Sequence, residues 1–138
     1  MLEGSCLCGG VRYRAERAAG PMASCHCQMC RKAHGSAFSI ILPVRRAGFS
    51  WLSGEHLLTC YESSPGKHRW FCSSCGSQLI STRAGDKETL LLRAGCIDLG
   101  PERGPVAHCW VESKAPWHEI TDELPRSERG FPGPGADE

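Results

Sequence analysis

The stretch that decides the fold is a closely spaced cysteine pair followed by glycine, Cys72-Ser73-Ser74-Cys75-Gly76. Two intervening residues let a turn bring both sulfurs to neighbouring corners of one tetrahedron, at about 2.3 Å from a zinc ion. Gly76 permits the tight backbone that such a turn needs. The stretch therefore predicts one half of a tetrahedral thiolate metal site.

Two further cysteine groups precede this pair, Cys6-Leu7-Cys8 and Cys25-His26-Cys27-Gln28-Met29-Cys30. In a C-x-C segment the middle side chain points away from its neighbours, so Leu7 and His26 should lie outside any metal site. Seven clustered thiols divide naturally as four plus three. A closed four-thiolate zinc is structural, whereas a three-ligand zinc keeps one position open for chemistry.

Spacing alone leaves open which pair completes the site of Cys72 and Cys75. Cys27 and Cys30 would give an ordinary zinc ribbon and would leave the remaining three thiols over. The partition therefore needs information beyond the spacing.

Composition narrows the classes of function. The 138 residues fit one domain, and 16 basic against 15 acidic residues give a net charge of +1, which provides no broad footprint for nucleic acid or an anionic membrane. No apolar run approaches the roughly 20 residues of a membrane helix, and the segment after Met1 lacks the features of an export signal. We therefore expect a cytoplasmic protein, in which the clustered cysteines among the ten bind metal rather than form disulfides.

The pattern of short apolar runs bounded by Gly, Pro and Ser predicts a mainly β domain over residues 1–125. One or two helical turns are expected at Gln28 to Ala33, and residues 126–138 should form a flexible tail. The predicted strands are Val11 to Ala15, Ala37 to Leu42, Leu57 to Glu62, His68 to Phe71, Gln78 to Thr82, Thr89 to Ala94 and Val106 to Val111.

Three segments together resemble the glutathione-dependent formaldehyde-activating enzyme family. They are Gly4-Ser5-Cys6-Leu7-Cys8-Gly9-Gly10-Val11-Arg12-Tyr13, Cys25-His26-Cys27-Gln28-Met29-Cys30-Arg31-Lys32 and Phe71-Cys72-Ser73-Ser74-Cys75-Gly76, and the similarity continues through Cys96-Ile97-Asp98 and Ala115-Pro116-Trp117. The resemblance implies a β-tent of short antiparallel sheets and two zinc ions. It assigns Cys6, Cys8, Cys72 and Cys75 to a structural zinc, and Cys25, Cys27 and Cys30 to a second zinc with an open fourth position.

The activity implied by the resemblance is that of a carbon–sulfur lyase. Glutathione, or a related thiol, would add reversibly to formaldehyde or another small aldehyde, and zinc would either activate the sulfur or polarise the aldehyde oxygen. The alternative is a non-catalytic zinc module that acts as a carrier, a chaperone-like protein or an interaction domain. Water or a small ligand at the fourth position of the second zinc favours catalysis, whereas His26, His34 or Cys96 in that position favours a structural role.

Other candidate residues follow from the neighbourhood of the second zinc. Arg31 and Lys32 could bind the carboxylates of glutathione, and His34 could move a proton. The three remaining thiols, Cys60, Cys96 and Cys109, lack a partner at ligand spacing and are predicted to be core residues.

Overall fold

The computed structural model describes residues 1–131, which form two compact units. The first unit contains Met1–Gly20 and Leu42–Glu102, and the second contains Pro21–Ile41 and the chain from Arg103 onward. The single domain predicted for residues 1–125 stays a prediction. Among the described residues no helix is long and apolar enough to cross a membrane.

The mainly β fold with little helix is confirmed. In chain order the elements are β1 (Leu2–Ser5), β2 (Arg12–Ala15), β3 (Ala23–Cys25), α1 (Gln28–His34), β4 (Ser39–Arg45), β5 (Phe49–Ser53), β6 (Leu58–Ser64), β7 (Lys67–Cys72), β8 (Gln78–Arg83), β9 (Thr89–Arg93), β10 (Ile97–Leu99) and β11 (His108–Cys109), with four short 3-10 turns. The sequence did not predict β1, β3, β5 or β10, which are three to five residues long and carry too few apolar residues for a clear period.

The first unit holds a four-stranded antiparallel sheet in the order β10-β1-β2-β5. Its centre is β2, in which Tyr13 and Ala15 are buried while Arg12 and Arg14 face solvent. This alternation is the one that the sequence predicts for a sheet with one wet face. Tyr13 packs against the rings of Phe49 and Trp51, so aromatic contacts hold the core of this sheet.

A second group of strands in the first unit follows the order β4-β9-β8-β7-β6. Its interior consists of aliphatic residues of β8 and β9, among which Leu79 and Leu92 are fully buried. The strand β6 is the edge of this sheet, since it pairs only with β7. Cys60 lies on this edge strand and is exposed, so the prediction that it is a core residue is wrong.

The second unit is built around β3, which lies between β11 in parallel and the first residues of β4 in antiparallel orientation. Two residues separate the end of β3 from the helix α1, which starts at Gln28 as the predicted helical turn does. Residues 126–131 were assigned to a tail, but the backbone N–H groups of Trp110 and Val111 donate to the carbonyls of Arg129 and Ser127. These first tail residues are therefore tied to the end of β11, and residues 132–138 lie outside the described part of the chain.

Gly4 on β1 leaves room for the buried ring of Tyr13, its cross-strand partner. A Cβ atom at position 4 would overlap the Cζ and Oη atoms of this ring. We expect Gly4→Ala to lower the free energy of unfolding by about 1–3 kcal/mol, since a fully buried ring has nowhere to move. Urea denaturation measures the change.

The matched control is Gly85→Ala, because Gly85 has open space around its Cα and an ordinary φ. If Gly4→Ala and Gly85→Ala unfold at the same urea concentration, the close packing of Tyr13 on β1 is contradicted.

Candidate metal centres

Four thiols of the first unit converge at one point. The sulfurs of Cys6, Cys8, Cys72 and Cys75 all lie within 4.8 Å of one another, and we call this group the four-thiol centre. The Cys6 and Cys8 sulfurs are 3.5 Å apart, and those of Cys8 and Cys72 are 3.9 Å apart. A tetrahedral zinc with bonds of about 2.3 Å places its sulfurs about 3.8 Å apart, so the group fits such an ion. The distances are far too long for disulfides.

Two tight turns produce this convergence. The Gly9 N–H donates to the Cys6 carbonyl at 3.0 Å, and the Gly76 N–H donates to the Cys72 carbonyl at 2.7 Å. Both glycines have positive φ, 77° and 80°, which a residue with a side chain rarely adopts. Between the C-x-C cysteines, Leu7 is exposed, as predicted, and its N–H donates to the Ser77 Oγ at 2.8 Å. This hydrogen bond ties the N-terminal turn to the later one.

The pKa shifts of the thiols in the four-thiol centre favour the binding of a cation. Hydrogen bonds from the side chain and backbone of Ser77 lower the pKa of the Cys75 thiol to about 5. A hydrogen bond from the Gly10 backbone lowers the pKa of Cys8, but the neighbouring thiols, Cys6 first, outweigh it and raise that pKa to about 11. Negative charge on one sulfur therefore opposes charge on the next, and a divalent cation would remove this opposition.

Three thiols of the second unit form a separate group. The sulfurs of Cys25, Cys27 and Cys30 lie within 4.8 Å of one another and all three residues are buried; we call this group the three-thiol centre. Cys25 ends β3, Cys27 caps the N-terminus of α1, and Cys30 lies in the first helical turn. The Cys30 N–H donates to the Cys27 Sγ at 3.3 Å, so the helix start fixes the spacing of these two thiols.

None of the three residues considered for a fourth position joins the three-thiol centre within residues 1–131. The Nε2 of His26 lies 2.9 Å from the Nδ1 of His108 instead. Cys96 belongs to the first unit, where its thiol donates to the Gln78 carbonyl at 3.3 Å. His34, at the end of α1, is likewise not part of the group. Among residues 1–131, the group therefore contains three thiols and none of these three candidate residues.

A series of hydrogen bonds holds His26, the residue between Cys25 and Cys27 in the sequence. The carboxylate of Asp122 lies 3.0 Å from the His108 Nε2, which therefore donates to it. The His108 Nδ1 then accepts from the Nε2–H of His26, whose pKa burial lowers to about 4. His26 is thus a neutral ring bound to His108, and residue spacing alone offers no signal for its link to Asp122.

A cavity of about 270 Å³ lies in the second unit beside the hydrogen bonds that join His26, His108 and Asp122. Ser24, Phe38, His108, His118 and Asp122 are among its lining residues. Since side chains alternate along a strand, Ser24 faces this cavity while its neighbour Cys25 faces the thiols. The cavity is therefore not formed by the three-thiol centre.

Two residues at the end of β11, Cys109 and Trp110, complete the described surroundings of the three-thiol centre. Cys109 is fully buried, as predicted, and packs against the three thiols. Trp110 packs against the same cluster, and its indole Nε1 is buried without a hydrogen-bond partner among the described residues. Sequence reasoning did not single out Trp110, because a tryptophan after a short strand most often serves packing alone.

The two predicted glutathione-binding residues follow Cys30 on α1. Arg31 is half-buried, and its Nε is buried without a hydrogen-bond partner among residues 1–131, whereas Lys32 is exposed. Both lie in the last turn of the helix, so they bring positive charge to the chain segment that carries two of the thiols.

Comparisons with known proteins agree with this geometry. A family model described as "Glutathione-dependent formaldehyde-activating enzyme" matches residues 1–113. A protein of Halomonas elongata named "Putative glutathione-dependent formaldehyde-activating enzyme" is 33% identical over 141 residues, which cover 96% of this chain and 89% of that protein. A crystal structure of a Rhodobacter sphaeroides protein shares the fold, with a TM-score of 0.62 and 24% identity over 73% of this chain and 92% of that one. The chain belongs to the glutathione-dependent formaldehyde-activating enzyme family.

Proposed function

We propose that this protein is a zinc-dependent carbon–sulfur lyase that forms or cleaves the adduct of glutathione, or a related thiol, with formaldehyde or another small aldehyde. The observation that carries the proposal is the three-thiol centre, in which buried thiols converge without a fourth described ligand. Family membership supports this class of reaction, and an open position on the second zinc would provide a place for it. A non-catalytic zinc module would instead be expected to close this position with a side chain.

Each centre would hold one zinc ion. The four-thiol centre would hold a structural zinc that joins the N-terminal turn to the turn at Cys72, and the three-thiol centre would hold the second. Thiolate-rich sets of this spacing are typical zinc sites. Because such thiols must stay reduced, the proposal also places the protein in the cytoplasm.

The second zinc, when bound, would stabilise the thiolate form of the incoming thiol or polarise the aldehyde oxygen. The chain's own residues would bring the reactants together and shield them from water. In the forward reaction the thiol loses its S–H proton, the sulfur forms a bond to the aldehyde carbon, and the carbonyl oxygen gains a proton to become a hydroxyl. His34 is the candidate to carry this proton, since it lies on the same helix as two of the thiols.

Glutathione has two carboxylates, and the basic residues of α1 suit them. Arg31 offers a buried N–H that lacks an acceptor in the structure, and Lys32 offers an exposed ammonium group. A guanidinium binds a carboxylate through two parallel hydrogen bonds, so we expect Arg31 to contribute more than Lys32.

The number of zinc ions bound per chain distinguishes the two centres when one of them is mutated. We expect two zinc ions per chain in the wild type and about one in Cys27→Ser, with the fold retained, because the four-thiol centre is intact. Cys75→Ser should fail to fold, since structural zinc contributes on the order of 10–16 kcal/mol to folding. Metal analysis combined with circular dichroism measures both effects.

Cys60→Ser is the matched control, because Cys60 is exposed on the edge strand β6 and belongs to neither centre. It should keep two zinc ions. Two zinc ions in Cys27→Ser would contradict the assignment of the second site.

Catalysis is tested by the rate of adduct formation. We expect the wild type and Cys60→Ser to speed the exchange between formaldehyde and its glutathione adduct above the spontaneous rate, and Cys27→Ser to return it to that rate. Exchange spectroscopy by NMR at equilibrium measures the rate directly. A wild-type rate equal to the spontaneous one would overturn the proposed reaction while leaving the metal assignment standing.

The role of Arg31 is tested by comparing the KM for a thiol that has carboxylates with the KM for a thiol that has none. Arg31→Gln should raise the KM for glutathione about tenfold, because a charge-assisted hydrogen bond is lost, while the KM for 2-mercaptoethanol, which has no carboxylate, stays unchanged. Lys32→Gln should give a smaller rise, and Lys87→Gln, an exposed lysine of the first unit, should give none. If Arg31→Gln changed the KM for glutathione and the KM for 2-mercaptoethanol equally, Arg31 would not bind a carboxylate.

A further inference from the structure

Trp110 has an unusual backbone. Its φ of 58° and ψ of 38° place it in the left-handed region, and it is the one non-glycine residue with positive φ among residues 1–131. A bulky residue in this conformation costs about 1–3 kcal/mol, and such residues cluster at functional sites. The surrounding structure must therefore compensate for this backbone.

The surroundings of Trp110 hold this conformation in place. Its N–H donates to the Arg129 carbonyl at 3.2 Å, and its own carbonyl accepts from the Ser113 N–H at 3.1 Å. The next residue, Val111, donates to the Ser127 carbonyl at 3.0 Å. Hydrogen bonds from both sides thus fix the turn that presents the indole ring to the cysteines.

The indole ring packs against the buried cluster of the three-thiol centre and Cys109. Its Nε1–H is buried and finds no acceptor among the described residues, and this includes every described thiol. A buried N–H without a partner costs about 1–3 kcal/mol, so few such groups persist without a reason. Backbone strain and a buried donor without a described acceptor therefore occur in the same residue, which packs against the three-thiol centre.

We propose that the indole N–H of Trp110 donates a hydrogen bond to the aldehyde oxygen at the three-thiol centre, and that this makes Trp110 a catalytic residue. The inference rests on the proposed function and names the group that binds the oxygen. As the sulfur–carbon bond forms, the π electrons of the carbonyl move to this oxygen, and the proton lost by the thiol finally converts it to a hydroxyl. The N–H–oxygen hydrogen bond strengthens as charge grows on the oxygen and is not itself broken.

Kinetics provide the first test. Trp110→Phe keeps an aromatic ring but removes the donor, and it should lower kcat about 10- to 100-fold while the KM for glutathione changes less than about twofold. The matched control is Trp117→Phe, because Trp117 is 73% exposed in the same unit. It should match the wild type. If Trp110→Phe matches the control in an active enzyme, the inference fails and the proposed function stands; if the wild type is inactive, both fail.

Nuclear magnetic resonance on the zinc-loaded wild type provides a second test that needs no turnover and no folded variant of Trp110 itself. The preformed glutathione–formaldehyde adduct should move one of the four indole N–H signals downfield, and S-methylglutathione, which lacks the hydroxyl oxygen, should not. Trp117→Phe, Trp51→Phe and Trp70→Phe assign the other three signals by their loss. An unshifted Trp110 signal with the bound adduct, or equal shifts with both compounds, would overturn the inference.

Discussion

The structure depends on the mutual repulsion of thiolates brought to one point. Sulfurs 3.5–3.9 Å apart cannot all be ionised without a cation, and the raised pKa of Cys8 beside the lowered pKa of Cys75 expresses this directly. A divalent metal bound there would turn the repulsion into attraction to a common centre, so that folding and metal binding would become one process. Short strands with modest cores would then be sufficient, because the metal would hold the turns that these strands connect.

The two centres differ in what their surroundings supply. Turns with positive-φ glycines, Gly9 and Gly76, shape the four-thiol centre, and it is complete with protein ligands alone. The three-thiol centre combines a strand end with a helix start, and the ring of His26 is held away from it by His108 and Asp122. With this histidine held elsewhere, a zinc ion bound by the three thiols would keep a position open, as the proposed reaction requires.

Cysteine spacing and apolar runs were enough to predict the seven convergent thiols, the mainly β fold and the helix after the central cysteines, because these depend on local chemistry. The choice of which thiols join Cys72 and Cys75 needed the family resemblance, since spacing also permits a ribbon of Cys27, Cys30, Cys72 and Cys75. Sequence reasoning missed three features that long-range packing decides. Cys60 is exposed because β6 is an edge strand, and Asp122 reaches His26 only through His108. Trp110 contacts the thiols through a left-handed turn.

The most direct measurement is anomalous diffraction at the zinc absorption edge from crystals of the zinc-loaded protein. The proposed pair of zinc sites predicts two peaks per chain, one surrounded by the four sulfurs of the first centre and one by three sulfurs and a non-protein ligand. A single peak, a protein side chain in the fourth position of the second peak, or disulfide bonds in place of either centre would contradict it.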